Sequence, residues 1–204
     1  MLVRFSCSDD LAWRPEIEDW SACDSEGSEV NLQNPSKGGL DEEPLQYRVC
    51  PFDTCLELWP DVCSLRWQPS LIAAVRLCGL AIPVPMPGSL RAVNINTLRP
   101  GQGYQKHVDG NAVTVLIFLT TCIGGELDVF QKSGIVTLDH RAGQGVVFAG
   151  GQLPHQVRKV QRGVSRMLLF SYGDSSSSID LELESQLYGR TSEVSHGKLV
   201  QALR

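Results

Sequence analysis

No stretch of this chain is apolar for long enough to cross a bilayer. The longest run, inside "NAVTVLIFLTTCIGG" at residues 111–125, stops short of the roughly 20 residues that a spanning helix needs. The opening "MLVRFSCSDDLAW" has no apolar h-region and turns acidic within ten residues, so no secretory leader is expected. A basic surplus is missing as well. Eighteen lysines and arginines face 23 acids, for a net charge of −5, which leaves no broad positive face for a phosphate backbone. Paired cysteines are absent in pattern, since the seven present are odd in number and form no repeated close pairs. That argues against a disulfide framework and for a reducing compartment, the cytoplasm or the nucleus. Cys50 and Cys55 are too loosely set for a zinc knuckle and read as buried free thiols.

What the chain does have is enough apolar content, 42% of 204 residues, to build the core of one ordinary domain. Its charge is uneven. Residues 1–43 hold eleven acids against Arg4, Arg14 and Lys37, net −8, and the remaining 161 residues stand at +3. This predicts an acidic, flexible leader over 1–44, although Trp13 and Trp20 would allow part of it to dock. A domain is expected over 45–174, with a peripheral tail over 175–204 that opens on a serine run and holds one helix.

Within the domain, "PSLIAAVRLCGL" at 69–80 spaces Leu71, Ile72, Val75 and Cys78 for one face of a helix, with Pro69 near its start. Pro83, Pro85 and Pro87 then alternate, which forbids helix and favours an extended loop at the rim of whatever follows. From about residue 90 to 173 the texture is β. Runs such as "AVTVLIFLT", "GELDVF", "GIVTLD", "GVVFAG" and "SRMLLFSY" are parted by turn residues, and seven or eight strands in this length suit a double-stranded β-helix, a jelly-roll. The fold class expected is mainly β, a jelly-roll core with at least one flanking N-terminal helix.

The stretch "GYQKHVDG" at 103–110 sets His107 and Asp109 two positions apart. Side chains alternate along a strand, so both project from one side. Alone, the pair reads equally as two metal ligands or as a solvated strand end. Downstream, "GGQLPHQVRKVQRGVSRMLLFSY" supplies His155 at the start of one strand and Arg166 at the start of another. Two histidines and one carboxylate with other positions open form the facial set that suits ferrous iron. His140, in the turn "LDHRAGQG", reads as solvated, and His196 in the tail is given no role.

The order His-x-Asp, a "GGEL" strand, Pro-His-x-Val-x-x-Val and an arginine eleven residues beyond the histidine resembles the 2-oxoglutarate and iron dependent dioxygenases of the prolyl 4-hydroxylase type. The resemblance covers roughly residues 90–172. It implies that His107, Asp109 and His155 hold Fe(II) and form the catalytic centre, and that Arg166 captures the far carboxylate of 2-oxoglutarate. O2 would be the second co-substrate, and ascorbate a reductant for the iron. The chain departs from the family at two positions. Thr97 and Leu98 occupy the stretch where many relatives have a tyrosine on the co-substrate, and Phe118 stands where another is common. Tyr104 is retained and is assigned to the co-substrate. The substrate implied is a prolyl residue of a protein or peptide. Dealkylation of nucleic acid, hydroxylation of a small molecule or amino acid, and a catalytically silent binding jelly-roll are the alternatives. No nucleic-acid or membrane partner is expected.

Overall fold

The computed structural model describes residues 1–15, 19–32, 45–86, 90–173 and 185. Segment 33–44, Pro87, His196 and the tail expected over 175–204, residue 185 apart, lie outside the described residues. The elements run β1 (Leu2–Ser6), α1 (Cys7–Asp10), α2 (Ala22–Glu26), β2 (Ser28–Leu32), β3 (Leu45–Cys50), α3 (Phe52–Leu58), α4 (Pro60–Ser64) and, after a 3-10 turn over Leu65–Trp67, α5 (Pro69–Leu77). Strands follow: β4 (Val84–Pro85), β5 (Val93–Leu98), β6 (Tyr104–His107), β7 (Val113–Phe118), β8 (Ile123–Gly124), β9 (Leu127–Gln131) and β10 (Gly134–Leu138). The set closes with β11 (Gln144–Phe148), β12 (His155–Val157), β13 (Val160–Arg162) and β14 (Ser165–Gly173).

Every described strand pairing is antiparallel. The larger sheet has the order β1-β11-β7-β14-β5-β3-β2, with β4 on the end of β14, and the smaller has the order β10-β9-β12-β6. Two facing antiparallel sheets of this kind make the jelly-roll that the strand spacing predicts. The central strands β5 and β7 are covered on both faces and are buried at every position. One face looks between the sheets, where Leu98, Leu116, Phe118, Phe148 and Met167 meet Leu127, Val129 and Val157. The other, with Ile95, Ile117, Leu168 and Phe170, packs on Phe52, Val62, Leu71 and Val75 of the helices. The helix expected over 69–80 forms over Pro69–Leu77, with Leu71 and Val75 buried as its spacing requires. Val84 and Pro85 pair with Gly173 and Tyr172, so the proline loop is an edge strand where the lost N–H is tolerated.

The leader differs from expectation. Residues 2–6 extend the larger sheet by pairing with β11, and residues 28–32 extend it at the other edge by pairing with β3. Cys7, Leu11, Trp20, Cys23 and Val30 are buried, and Trp20 packs on Trp13 and Trp59 at ring distances of 6.3 and 5.2 Å. The acids of this segment meet cations on the barrel. Asp24 lies 2.7 Å from Arg166 and 3.7 Å from Arg99, and Glu29 lies 3.8 Å from Arg48. Docking of the leader thus rests on its apolar side chains and strand pairing, with Asp24 and Glu29 set against arginines of the barrel. All seven cysteines are free, and six are buried.

Candidate metal centre

β6 and β12 are neighbours in the smaller sheet, and their register places His107 directly opposite His155. The two imidazoles lie 4.3 Å apart between ring centres. Backbone carbonyls fix their orientation. Nδ1 of His107 is 2.7 Å from the Gln105 oxygen and Nδ1 of His155 is 2.9 Å from the Leu153 oxygen. A carbonyl only accepts, so each Nδ1 carries the proton and each Nε2 is left with its lone pair free for a metal.

Both Nε2 atoms face one oxygen. Asp109 Oδ1 is 3.6 Å from His107 Nε2 and 3.4 Å from His155 Nε2. The other carboxylate oxygen accepts from the Thr114 hydroxyl, which in turn accepts from Asn111 Nδ2 at 2.9 Å. The backbone closes the arrangement through Asp109 N–H to the Gly150 oxygen at 2.9 Å. One ligand atom from each of His107, Asp109 and His155 falls within 4.8 Å of the others, and no other such group occurs among the described residues. The His155 side chain is buried at 6% exposure and Asp109 nearly so at 17%, while His107 is open at 43%, so the set faces a mouth.

Charges follow the geometry. Burial opposes ionisation of Asp109, but in the metal-free site the hydrogen bonds that the two imidazoles donate when also protonated at Nε2, together with that of Thr114, outweigh it and hold the carboxyl well below the usual range; a metal would take the place of those Nε2 protons. Burial likewise pulls His107 down, and its bonds to Asp109 and the Gln105 carbonyl more than restore it, so its pKa is raised. Two neutral imidazoles and a carboxylate fit a hard-to-borderline divalent ion with open positions, as Fe(II) requires.

Gly150 is part of the cradle. A Cβ built there overlaps the Asp109 carboxylate and the Thr114 hydroxyl. Gly150→Ala is therefore expected to swing Asp109 away and weaken Fe(II) binding by about 10–100-fold, the range for losing a group that orients a ligand. Titration of Fe(II) under argon measures this. Wild-type affinity in the variant would show that the loop yields instead.

Arg166 is a correction. Along β14, Met167 points between the sheets whereas Leu168 and Phe170 point to the helices, and Arg166 shares the face of Leu168. Its guanidinium holds Asp24 of the leader, away from the barrel interior. The count of eleven residues from His155 cannot reveal this, because the pairing of β13 shifts register and Gly163 turns at φ 88°, so the in-out parity is lost between the two strands. Ser165 holds the inward position instead. Tyr104 lies on β6, its ring 6.2 Å from His107 and 5.0 Å from Tyr47. His140, read as solvated, is 2% exposed. The signal for it was local, since Leu138 and His140 are two apart and continue the alternation of β10.

Residues 93–172 match the 2OG-Fe(II) oxygenase superfamily. No curated protein matches the chain. Among solved structures, an oxidoreductase of the 2OG-Fe(II) oxygenase family from Burkholderia pseudomallei is similar at 13% identity and a TM-score of 0.58, covering 84% of each chain. A prolyl hydroxylase from Trichoplax adhaerens, in complex with a hypoxia inducible factor peptide fragment, is 17% identical with a TM-score of 0.55, covering 86% of this chain and 84% of that one. The alpha ketoglutarate dependent epimerase SnoN of nogalamycin biosynthesis is 14% identical with a TM-score of 0.57, covering 92% and 85%. The matched residues 93–172 include His107, Asp109 and His155, and the 2OG-Fe(II) oxygenase superfamily that they match uses Fe(II), 2-oxoglutarate and O2.

Proposed function

We propose that this protein hydroxylates a prolyl residue of a protein or peptide, releasing succinate and CO2 from 2-oxoglutarate. The observation that supports an oxygenase is the triad itself, in which two bare Nε2 atoms and one carboxylate oxygen converge at an open mouth. His107, Asp109 and His155 would hold the iron. Bound there, Fe(II) supplies the chemistry that activates O2 against a C–H bond. The chain's own contribution is orientation and dryness. The Gln105 and Leu153 carbonyls keep both imidazoles in the ligating tautomer, Thr114 and Asn111 hold the carboxylate, and Phe148 packs edge-on against His155 at 4.8 Å. Below them Leu116, Phe118, Val129 and Met167 line an interior that excludes water.

A peptide is favoured over nucleic acid because the residues beyond 43, which carry the site, stand at only +3, too small a surplus to hold a phosphate backbone. It is favoured over a sealed small-molecule pocket by the exposure of His107 and of Val108, 51% accessible, at the mouth. The likeness to a peptide-bound prolyl hydroxylase is consistent with such a substrate, and the likeness to an epimerase keeps the small-molecule arm in the test. Succinate release is measured with proline peptides, lysine peptides, free amino acids and methylated oligonucleotides. Stimulation by proline peptides, with a mass gain of one oxygen, is the expected result. Turnover stimulated only by a free amino acid or an oligonucleotide overturns the peptide reading and leaves the oxygenase intact.

A further inference from the structure

2-Oxoglutarate carries a second carboxylate that a metal chelate does not use, and a carboxylate drawn into an apolar barrel needs a partner there. Arg166 points the other way, and Leu98 and Phe118 offer no hydroxyl. The inward face of the larger sheet instead brings Ser165 and Phe118 to His140. The His140 ring lies 4.4 Å from the Phe118 ring, and its Nδ1 lies 3.2 Å from the Gly125 oxygen and 3.4 Å from Ser165 Oγ. Its Nε2 is buried and has no hydrogen-bond partner among the described residues. Polar atoms left unsatisfied in a folded interior mark a place for a ligand.

We propose that His140, steadied by Ser165, receives the far carboxylate of 2-oxoglutarate in this chain, a role that rests on the barrel acting as a 2-oxoglutarate oxygenase. The tautomer gives the proposal a distinctive consequence. The Gly125 carbonyl only accepts, so Nδ1 is protonated and Nε2 is bare. A bare nitrogen and a carboxylate both accept. One proton must therefore come from solvent with the ligand and sit between Nε2 and the carboxylate oxygen. Burial holds empty His140 down to about 4, against the opposing pull of the Gly125 carbonyl, so that proton is absent beforehand at neutral pH. The groups packed around His140 do not supply it. Ser165 and Phe118 do not titrate in this range, and the Cys122 thiol beside Gly125 is pushed up to about 11 by burial and by Glu126. Asp139 and Arg141 pair with each other at 3.1 Å on the surface. An arginine, always charged, would take up no proton.

The test is calorimetric titration of the Fe(II)-loaded full chain with 2-oxoglutarate under argon, in buffers of different ionisation heat. Wild type is expected to take up about one proton per ligand at pH 7, with Kd rising about tenfold per pH unit above that. His140→Phe should weaken binding at least tenfold and abolish proton uptake, while iron stoichiometry and melting temperature hold. His140→Asn is the second variant where the phenylalanine disturbs folding, and it should lose the uptake as well. Arg166→Gln should keep both affinity and uptake. Unchanged binding in both His140 variants, or loss of binding in Arg166→Gln with iron retained, overturns the proposal and spares the oxygenase reading. Failure of the wild type to load iron at all takes down both.

Discussion

Asp109→Ala leaves the barrel folded and strips it of iron. The carboxylate is the point on which both Nε2 atoms converge, at 3.6 and 3.4 Å, so its removal leaves two imidazoles with no anion between them. Losing a group that merely orients a ligand costs about 10–100-fold in affinity, so losing this ligand is expected to exceed a hundredfold. The fold survives because the apolar clusters that carry it include none of the three residues. Metal analysis after anaerobic loading, with thermal melting alongside, reads both outcomes. One iron per chain in the variant would remove Asp109 from the metal site. Acid reproduces the loss in the wild type. His107 has a raised pKa, so protons compete for its Nε2 from above the ordinary histidine value, and iron affinity falls by about tenfold per pH unit below that point. For the metal-free fold the two groups act in opposite directions. The depressed Asp109 contributes stability above the usual carboxylate range that fades as pH falls. The raised His107 contributes stability below about 6.5 that fades as pH rises through its folded pKa.

The triad was legible because the chemistry lies in residue type and local spacing. His107 and Asp109 lie two apart, and His155 opens a strand, so few other placements were open to them. The strands were legible for a similar reason, since β-rich runs bounded by Gly, Pro and Asn leave little else to form. What could not be read was parity across an irregular connection. Arg166 and Ser165 differ by one position, and only the pairing of β14 with β5 and β7 decides which looks inward. His140 failed for the opposite reason, because its polar neighbours Asp139 and Arg141 hid an alternation that Leu138 had already begun. The leader misled through composition, since a charge count does not show that Asp24 and Glu29 face arginines.

Removing residues 1–43 is accordingly expected to unfold the protein or leave it insoluble. The deletion takes away β1 and β2, which close the two edges of the larger sheet, and exposes the paired faces of β11 and β3. It also removes Leu11, Trp20 and Val30 from the core, where they are 5, 6 and 3% exposed. Three large apolar side chains at about 1.5–3 kcal/mol each come to roughly 5–9 kcal/mol, against a total stability of about 5–15 kcal/mol for a typical domain. The ion pairs lost with Asp24 and Glu29 are partly exposed and add little to this. A milder probe separates packing from chain length. Gly145 faces the Phe5 ring so closely that a Cβ cannot be placed without moving it, so Gly145→Val should displace β1 and lower the melting temperature without touching the metal site. Circular dichroism melts of the truncated chain and of Gly145→Val, with iron stoichiometry measured on the same samples, decide the matter. A truncated protein that melts like the full chain and binds one iron would show that residues 1–43 rest on the barrel without supporting it.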